Sequence, residues 1–311
     1  MCSMADSPIS IDLGRGLRLR SPILAASGTF GYGFDAPLVD RAALGAIVTK
    51  GTTLRAREGN APVRIAETPS GMLNSIGLQN PGVDQVVRKF APQWSAWDLP
   101  VIVNVAGTSV DDYVAVVQRL DGVPGIAGIE LNISCPNVKA GLQFGVDARL
   151  ANELTVAVRK ATSLHLMVKL TPNVSDIAGI ASAIEDGGAD SLSAINTYVG
   201  MSIDIDQKKA LLNTGTGGLS GPAIKPLAVR AVWQVVDAVS LPVIGIGGIF
   251  TTEDALEFFM AGATAIQLGT VNYVRPQAAR EIHDGLVSYL REKDLQLGGL
   301  ALRPAKAMAR A

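Results

Sequence analysis

Residues 128–137 read Gly128-Ile129-Glu130-Leu131-Asn132-Ile133-Ser134-Cys135-Pro136-Asn137. Ile126, Ile129, Leu131 and Ile133 favour a strand, and Pro136 cannot continue a ladder. Asn132, Ser134, Cys135 and Asn137 therefore crowd onto one strand end and the loop after it. A thiol beside amides suits proton abstraction from a polar, planar molecule. Cysteine has an ordinary pKa of about 8.5 and becomes a base or nucleophile as thiolate. Free cysteine is also a common small buried hydrophobe, so this stretch alone leaves chemistry and packing both open.

The same pattern of an apolar run with a polar end recurs along the chain. After a hairpin over residues 9–20, turning at Gly14 to Gly16, the runs predict strands at 22–26, 46–49, 101–105, 128–133, 166–170, 191–195, 243–246 and 265–268. Helical spacing lies between them, at 111–120, 150–161, 177–185 and 223–239. The run Thr251-Thr252-Glu253-Asp254 has the hydroxyl and early acids of a helix start. Alternating strands and helices imply βαβ units, and eight of them imply a closed (β/α)8 TIM barrel with a short N-terminal hairpin. A doubly wound open sheet is the alternative, but the glycine fingerprint it needs after the first strand is missing.

The whole chain, 1–311, reads as one domain, of a length that single α/β barrels commonly reach. Net charge is −1, which gives no footprint for nucleic acid or an anionic membrane. The cysteines number two, Cys2 and Cys135, which argues against a disulfide framework and fits a reducing cytoplasm. Residues 1–10 lack the apolar centre of a signal peptide, and no apolar run approaches the ~20 residues that span a bilayer. Two connections exceed what barrel geometry needs, 51–100 and 196–222. Both follow strands, so both should cover the C-terminal face, where barrel active sites form.

The strand ends form a polar and glycine-rich ring: Ser27 and Gly28, Lys50 and Gly51, Asn104, Asn132 and Cys135, Lys169, Asn196 and Thr197, Gly247 and Gly248, Gly269 and Thr270. Such a ring suits a neutral or anionic planar ligand. Loops after the seventh and eighth strands are the usual phosphate site of these barrels, and bare glycine lets an oxyanion approach backbone N–H groups. A lysine opening a loop is commonly just solvated. Two of them, Lys50 and Lys169, on one barrel end weaken that reading, since one could offset charge on a reduced cofactor and the other pair with a carboxylate. His165 and His283 read as structural, and no metal site is expected.

Across most of the chain these motifs resemble dihydroorotate dehydrogenase, the flavin enzyme of pyrimidine (UMP) biosynthesis. The likeness is carried by Ala25-Ala26-Ser27-Gly28, Thr49-Lys50-Gly51-Thr52-Thr53, Asn74-Ser75-Ile76-Gly77-Leu78-Gln79-Asn80-Pro81-Gly82, Asn132-Ile133-Ser134-Cys135-Pro136-Asn137, Gly217-Gly218-Leu219-Ser220-Gly221-Pro222 and Gly245-Ile246-Gly247-Gly248, in order. It implies FMN in the barrel mouth, touched by Ser27, Lys50, Gly51, Asn104, Asn132, Lys169 and Ile195. Gly221, Gly247, Gly248, Gly269 and Thr270 would hold its phosphate region. Dihydroorotate or orotate would meet Lys50, Asn74, Ser75, Ile76, Gly77, Leu78, Asn132, Asn137, Asn196 and Thr197. Cys135 would be the base, hydride would pass to FMN, and Lys169 would face the reduced flavin. Respiratory-chain members use Ser as the base, where this chain has Cys.

The wording of 71–82 and 217–222 resembles the class 1B, NAD-dependent catalytic subunit. That form is a homodimer within a heterotetramer, its second subunit carrying FAD and a [2Fe-2S] cluster. Two cysteines cannot supply a four-cysteine cluster, so any cluster belongs to the partner. The loop 139–145 is one residue shorter than the family pattern, and Gly51 and Tyr198 depart from it. The rivals are a class 1A fumarate-dependent enzyme, another FMN barrel such as a dihydropyrimidine dehydrogenase, and a barrel that binds without catalysis.

Overall fold

A computed structural model describes residues 9–35, 38–134 and 144–302. Eight short strands form the centre: β1 (Ile23–Ala25), β2 (Ala46–Val48), β3 (Val101–Val105), β4 (Gly128–Asn132), β5 (His165–Leu170), β6 (Ser191–Ala194), β7 (Val243–Ile246) and β8 (Ala265–Leu268). Each boundary lies within one residue of the sequence expectation. Every neighbouring pair is parallel, and β8 closes onto β1, so the sheet is a barrel. The strands read as near-continuous apolar runs because both faces of a parallel barrel are covered, one by the barrel interior and one by helices.

The helices follow their strands: α1 (Val83–Lys89), α2 (Val110–Leu120), α3 (Ala148–Ala161), α4 (Ile177–Asp186), α5 (Lys225–Ala238), α6 (Thr252–Met260) and α7 (Ala278–Lys293). Ser109, Asp147 and Asp176 start α2, α3 and α4 by accepting a hydrogen bond from a backbone N–H in the first turn. Thr251 and Asp254 form a reciprocal capping box on α6. Each cap contributes about 1 kcal/mol. The first unit differs, because between β1 and β2 the described chain makes only a 3-10 turn at Arg41–Ala43.

The hairpin (Ile11–Asp12 with Arg18–Leu19) closes the N-terminal end of the barrel. Its Leu13, Leu17 and Leu19 pack with Leu24, Ala46, Val48, Ile102, Met167, Ile244 and Ala265 inside the strands. The C-terminal end is built differently. The long connections after β2 and β6 meet there as one antiparallel sheet, in the order Tyr198–Gly200, Gly217–Ser220, Gly71–Asn74, Ile65–Thr68. Both insertions were expected to cover this face; that they pair with each other was not legible, since neither alternates clearly. No helix among the described residues is long and apolar enough to cross a membrane.

Candidate active site

At the strand ends, side chains from opposite walls of the barrel meet. Lys169, near the end of β5, is 5 % exposed, and its Nζ donates to Ser27 Oγ at 3.2 Å, just after β1. β1 and β5 are diametrically opposed in the barrel order, so this bond spans the mouth and places an ammonium on its floor. Asn132 closes β4. Its Oδ1 accepts from Asn196 Nδ2 at 3.3 Å and from the Ser134 N–H at 3.2 Å, and its carbonyl accepts from the Tyr113 hydroxyl at 2.6 Å. Tyr113 itself is held edge-on by Phe144. Asn196 is fixed by its N–H to Leu170 O at 2.8 Å. Two of the four amides expected to face a pyrimidine are therefore joined, across the intervening β5.

Asn104 on β3 is 1 % exposed, and its Nδ2 is occupied, donating to Glu130 Oε2 at 2.6 Å. Its Oδ1 has no partner among the described residues. A Cβ added to Gly51 would lie 3.1 Å from that oxygen and 3.2 Å from Leu78 Cδ2. Glycine at 51 thus leaves room between the buried acceptor and the 74–78 segment. An orphaned buried acceptor costs about 1–3 kcal/mol unless something donates to it. Lys50 sits beside it without an ion pair among the described residues. Burial pushes its ammonium below the ordinary lysine value, with Arg64 acting the same way and Asp35 opposing. An anionic ligand would relieve that.

The lid closes over these groups. Asn74 Nδ2 donates to Gly218 O at 3.4 Å, and a Cβ on Gly218 would fall 2.2 Å from Thr197 Oγ1. Asn74 and Thr197 therefore both abut the 217–220 strand at Gly218. Ser75 and Ile76 are pinned through their carbonyls by Asn60, and Ser75 Oγ is buried without a partner among the described residues. Gly77 and Leu78 both take positive φ, which turns the segment back.

On the β7–β8 side lies a cradle of bare backbone. Gly221 (φ 101°), Gly247 (φ 127°) and Gly248 (φ 75°) all occupy the region that favours glycine. A Cβ on Gly248 would be 2.9 Å from Gly221 O and 2.7 Å from Lys225 Cβ; one on Gly221 would be 2.8 Å from Gly71 Cα. Thr270 Oγ1 donates to Ser220 Oγ at 2.8 Å, tying the β8 end to the lid, and Gly269 beside it has ordinary contact only with Ala26. Lys225 does not face an anion here, since Asp254 and Glu257 hold its Nζ at 2.7 and 2.6 Å. Ile195 is buried, its N–H on Ile246 O.

Cys135 and Asn137 lie outside the described residues. Of the other expected positions, Ser27, Lys50, Gly51, Asn104, Asn132, Lys169, Asn196 and Thr197 share the C-terminal mouth, with 74–78 and the glycine cradle around it. Sequence reading missed Asn173, whose Nδ2 donates to Thr197 O and whose Oδ1 accepts from the Val199 N–H, fixing the loop that carries Thr197. It also passed over Glu130, Ser193 and Gln267, which meet beneath the mouth. A charged residue within a β4 run of isoleucine and leucine was the available signal. Among the described residues, no group of three or more His, Cys, Asp or Glu side chains could hold a metal ion.

Residues 14–290 match the family model described as dihydroorotate dehydrogenase. The chain is 52 % identical to the dihydroorotate dehydrogenase B (NAD(+)) catalytic subunit of Desulforamulus reducens over 92 % of this chain and 95 % of that one. It is 51 % identical to the subunit of the same name from Bacteroides thetaiotaomicron, covering 92 % and 94 %, and 49 % identical to that of Geotalea uraniireducens, covering 94 % and 96 %. The fold is similar to a crystal structure of dihydroorotate dehydrogenase from Eimeria tenella in complex with ferulenol, with TM-score 0.78, 21 % identity and coverage of 97 % and 90 %. The chain belongs to the dihydroorotate dehydrogenase family.

Proposed function

We propose that this chain is the catalytic subunit of an NAD-linked dihydroorotate dehydrogenase, a single FMN-binding barrel over 1–311 that oxidises dihydroorotate to orotate in the cytoplasm. One observation carries the reading. The Lys169–Ser27 bond, the paired Asn132 and Asn196, and the open acceptor of Asn104 share one mouth with a glycine cradle at the ends of β7 and β8.

The residues fit FMN. The N–H groups of Gly221, Gly247, Gly248, Gly269 and Thr270 suit its phosphate. Ser27, Lys50, Gly51, Asn104, Asn132, Lys169 and Ile195 suit its ribityl chain and ring. Bound there, FMN supplies the acceptor for the hydride that leaves C6 of dihydroorotate. Cys135 as thiolate takes the proton from C5, so two electrons and two protons' worth of hydrogen leave the substrate as one hydride and one proton. Lys169 holds positive charge where negative charge arrives on reduction. Lys50 pairs with the substrate carboxylate. Asn74, Asn132, Asn137 and Asn196 read a ring edge that alternates carbonyl and N–H, and Ser75, Ile76, Gly77, Leu78 and Thr197 close over it. A partner carrying FAD and a [2Fe-2S] cluster would supply the route from this site to NAD, in a heterotetramer built on a homodimer of this chain.

The test is direct. The purified chain should be yellow with about one FMN, should bleach on adding dihydroorotate without oxygen, and should yield orotate. A chain that binds no FMN would sink the reading. Rapid turnover with fumarate by this chain alone would move it to the fumarate-dependent class.

A further inference from the structure

Glu130 is the most deeply placed charge in the described barrel. It is 0 % exposed and points inward from β4. Its Oε2 accepts from Asn104 Nδ2 (β3) at 2.6 Å and lies 3.9 Å from Lys169 Nζ (β5). Its Oε1 accepts from Ser193 Oγ (β6) at 2.8 Å and from Gln267 Nε2 (β8) at 2.9 Å. β4 and β8 are diametrically opposed, so the carboxylate sits near the barrel axis and ties together five of eight strands. All three hydrogen-bonding partners are donors, as an anion requires. Below it the interior is apolar, with Met167, Ile102 and Ile244.

A buried ion pair is a poor stabiliser compared with apolar packing of the same volume. Barrel interiors are filled well by branched aliphatic residues, so packing alone gives no reason for a glutamate here. Its two mouth-side contacts do. Asn104 presents its other amide atom, the unpartnered Oδ1, to the mouth, and Lys169 reaches from Glu130 to Ser27. Both groups that Glu130 holds on its upper side are ones that the proposed function places against FMN.

We propose that Glu130 is a positioning residue that sets the electrostatics of the flavin site through Lys169. The carboxylate draws the ammonium, 3.9 Å away, toward the barrel axis, so the lysine favours the reduced flavin less than an ammonium free to approach the mouth would. The same carboxylate fixes which amide atom Asn104 turns toward the mouth. This rests on the FMN reading, and the two can fail separately.

The test is the midpoint potential of bound FMN at constant pH, measured against reference dyes for wild type, Glu130→Gln, Lys169→Met and the double variant, each saturated with FMN. Glu130→Gln should favour the reduced flavin by about tenfold, a positive shift of about 30 mV for a two-electron couple. In the Lys169→Met background the same substitution should shift the potential by less than a third of that. An unmoved potential in Glu130→Gln would overturn the proposal, and so would an equal shift with and without Lys169. Ser193→Ala keeps the charge but removes one donor from Oε1, so it should move the potential in the negative direction by about threefold in the equilibrium. A positive or absent shift there overturns the proposal even if Glu130→Gln does not fold. Failure of the wild-type chain to hold flavin would instead overturn the function itself.

Discussion

The two ends of the barrel are made from the same strands and treat polar groups in opposite ways. At the N-terminal end they are saturated. Asp190 receives both oxygens' worth of bonds from Arg15 at 2.8 and 2.9 Å, another from Arg159 at 2.8 Å, and one from the Leu166 N–H at 2.8 Å. His165 uses both ring nitrogens, on Gly14 O and Ser191 Oγ. At the C-terminal end, among the described residues, Asn104 Oδ1, Ser75 Oγ, Thr68 Oγ1 and Ser134 Oγ are buried without partners and Lys50 is desolvated without an ion pair. A folded chain tolerates such a cost where a ligand will relieve it. One end stabilises the closed sheet, and the other keeps unmet hydrogen-bonding capacity for something to bind.

The sharpest break in this contrast is chemical. Cys135→Ala should keep FMN and lose about a thousandfold or more in dihydroorotate turnover, within the range a general base contributes. Cys135→Ser should keep a small residue of it. Turnover within a fewfold of wild type in Cys135→Ala would remove the thiol from the reaction.

The next effect belongs to the opposite end. Asp190→Ala strips Arg159 of its carboxylate partner, leaving it only the Thr162 and Leu164 carbonyls, and the Leu166 N–H of its acceptor in a mostly buried site, with Asp190 12 % and Arg159 16 % exposed. The expected loss in unfolding free energy is about 3 kcal/mol, read by denaturant midpoint, with the FMN dissociation constant of the folded protein unchanged. Weakened flavin binding at equal stability would show that the ends are not separate. A smaller effect is expected from Gly248→Ala. The residue must then hold an L side chain at φ 75° against Lys225 Cβ and Gly221 O. That costs about 1–2 kcal/mol, and it should appear as roughly tenfold weaker FMN binding rather than as lost turnover once FMN is saturating. Unaltered FMN affinity would take Gly248 out of the cradle.

What the sequence made legible follows the same division. Strand positions could be read because each apolar run is short and ends in a glycine or polar residue, as Val243 to Ile246 does before Gly247. The mouth residues could be read because strand ends in a barrel share one face, which turns a linear pattern into a site without knowing any distance. The lid sheet was not legible, since Gly217–Ser220 and Gly71–Asn74 pair across about 150 residues and neither has a strong strand composition. Glu130 was missed for a different reason. It belongs to a stretch read for its far end, and period-two alternation, which places it on the face of Asn132, was not applied to a strand whose two faces are both buried. The lid contacts of Asn173 depend on a loop conformation that composition does not specify.

The smallest effect tests whether the hairpin end titrates on its own. Burial pushes the His165 imidazole below its ordinary value, Arg15 and Arg159 add to the depression, and Asp190 and the bond to Gly14 O oppose it. The unfolded chain therefore binds the proton first, at about pH 6.5. Above that value both states are neutral and the contribution is fully present. As pH falls through 6.5 toward the folded value, the unfolded state gains a proton the native state lacks, so stability declines by up to about 1.4 kcal/mol per pH unit. Asp12, held low chiefly by the Gly14 N–H, loses its contribution only at more acid pH. Between pH 7.5 and 5.5 the wild-type melting temperature should fall more steeply than that of His165→Gln, which has no proton to gain. Because this histidine lies beneath the hairpin and away from the mouth, its substitution should leave the pH dependence of FMN binding as it was. Parallel melting curves for the two proteins would mean that acid loosens the molecule elsewhere. A changed flavin profile would mean that the plug at one end of the barrel is coupled to the site at the other.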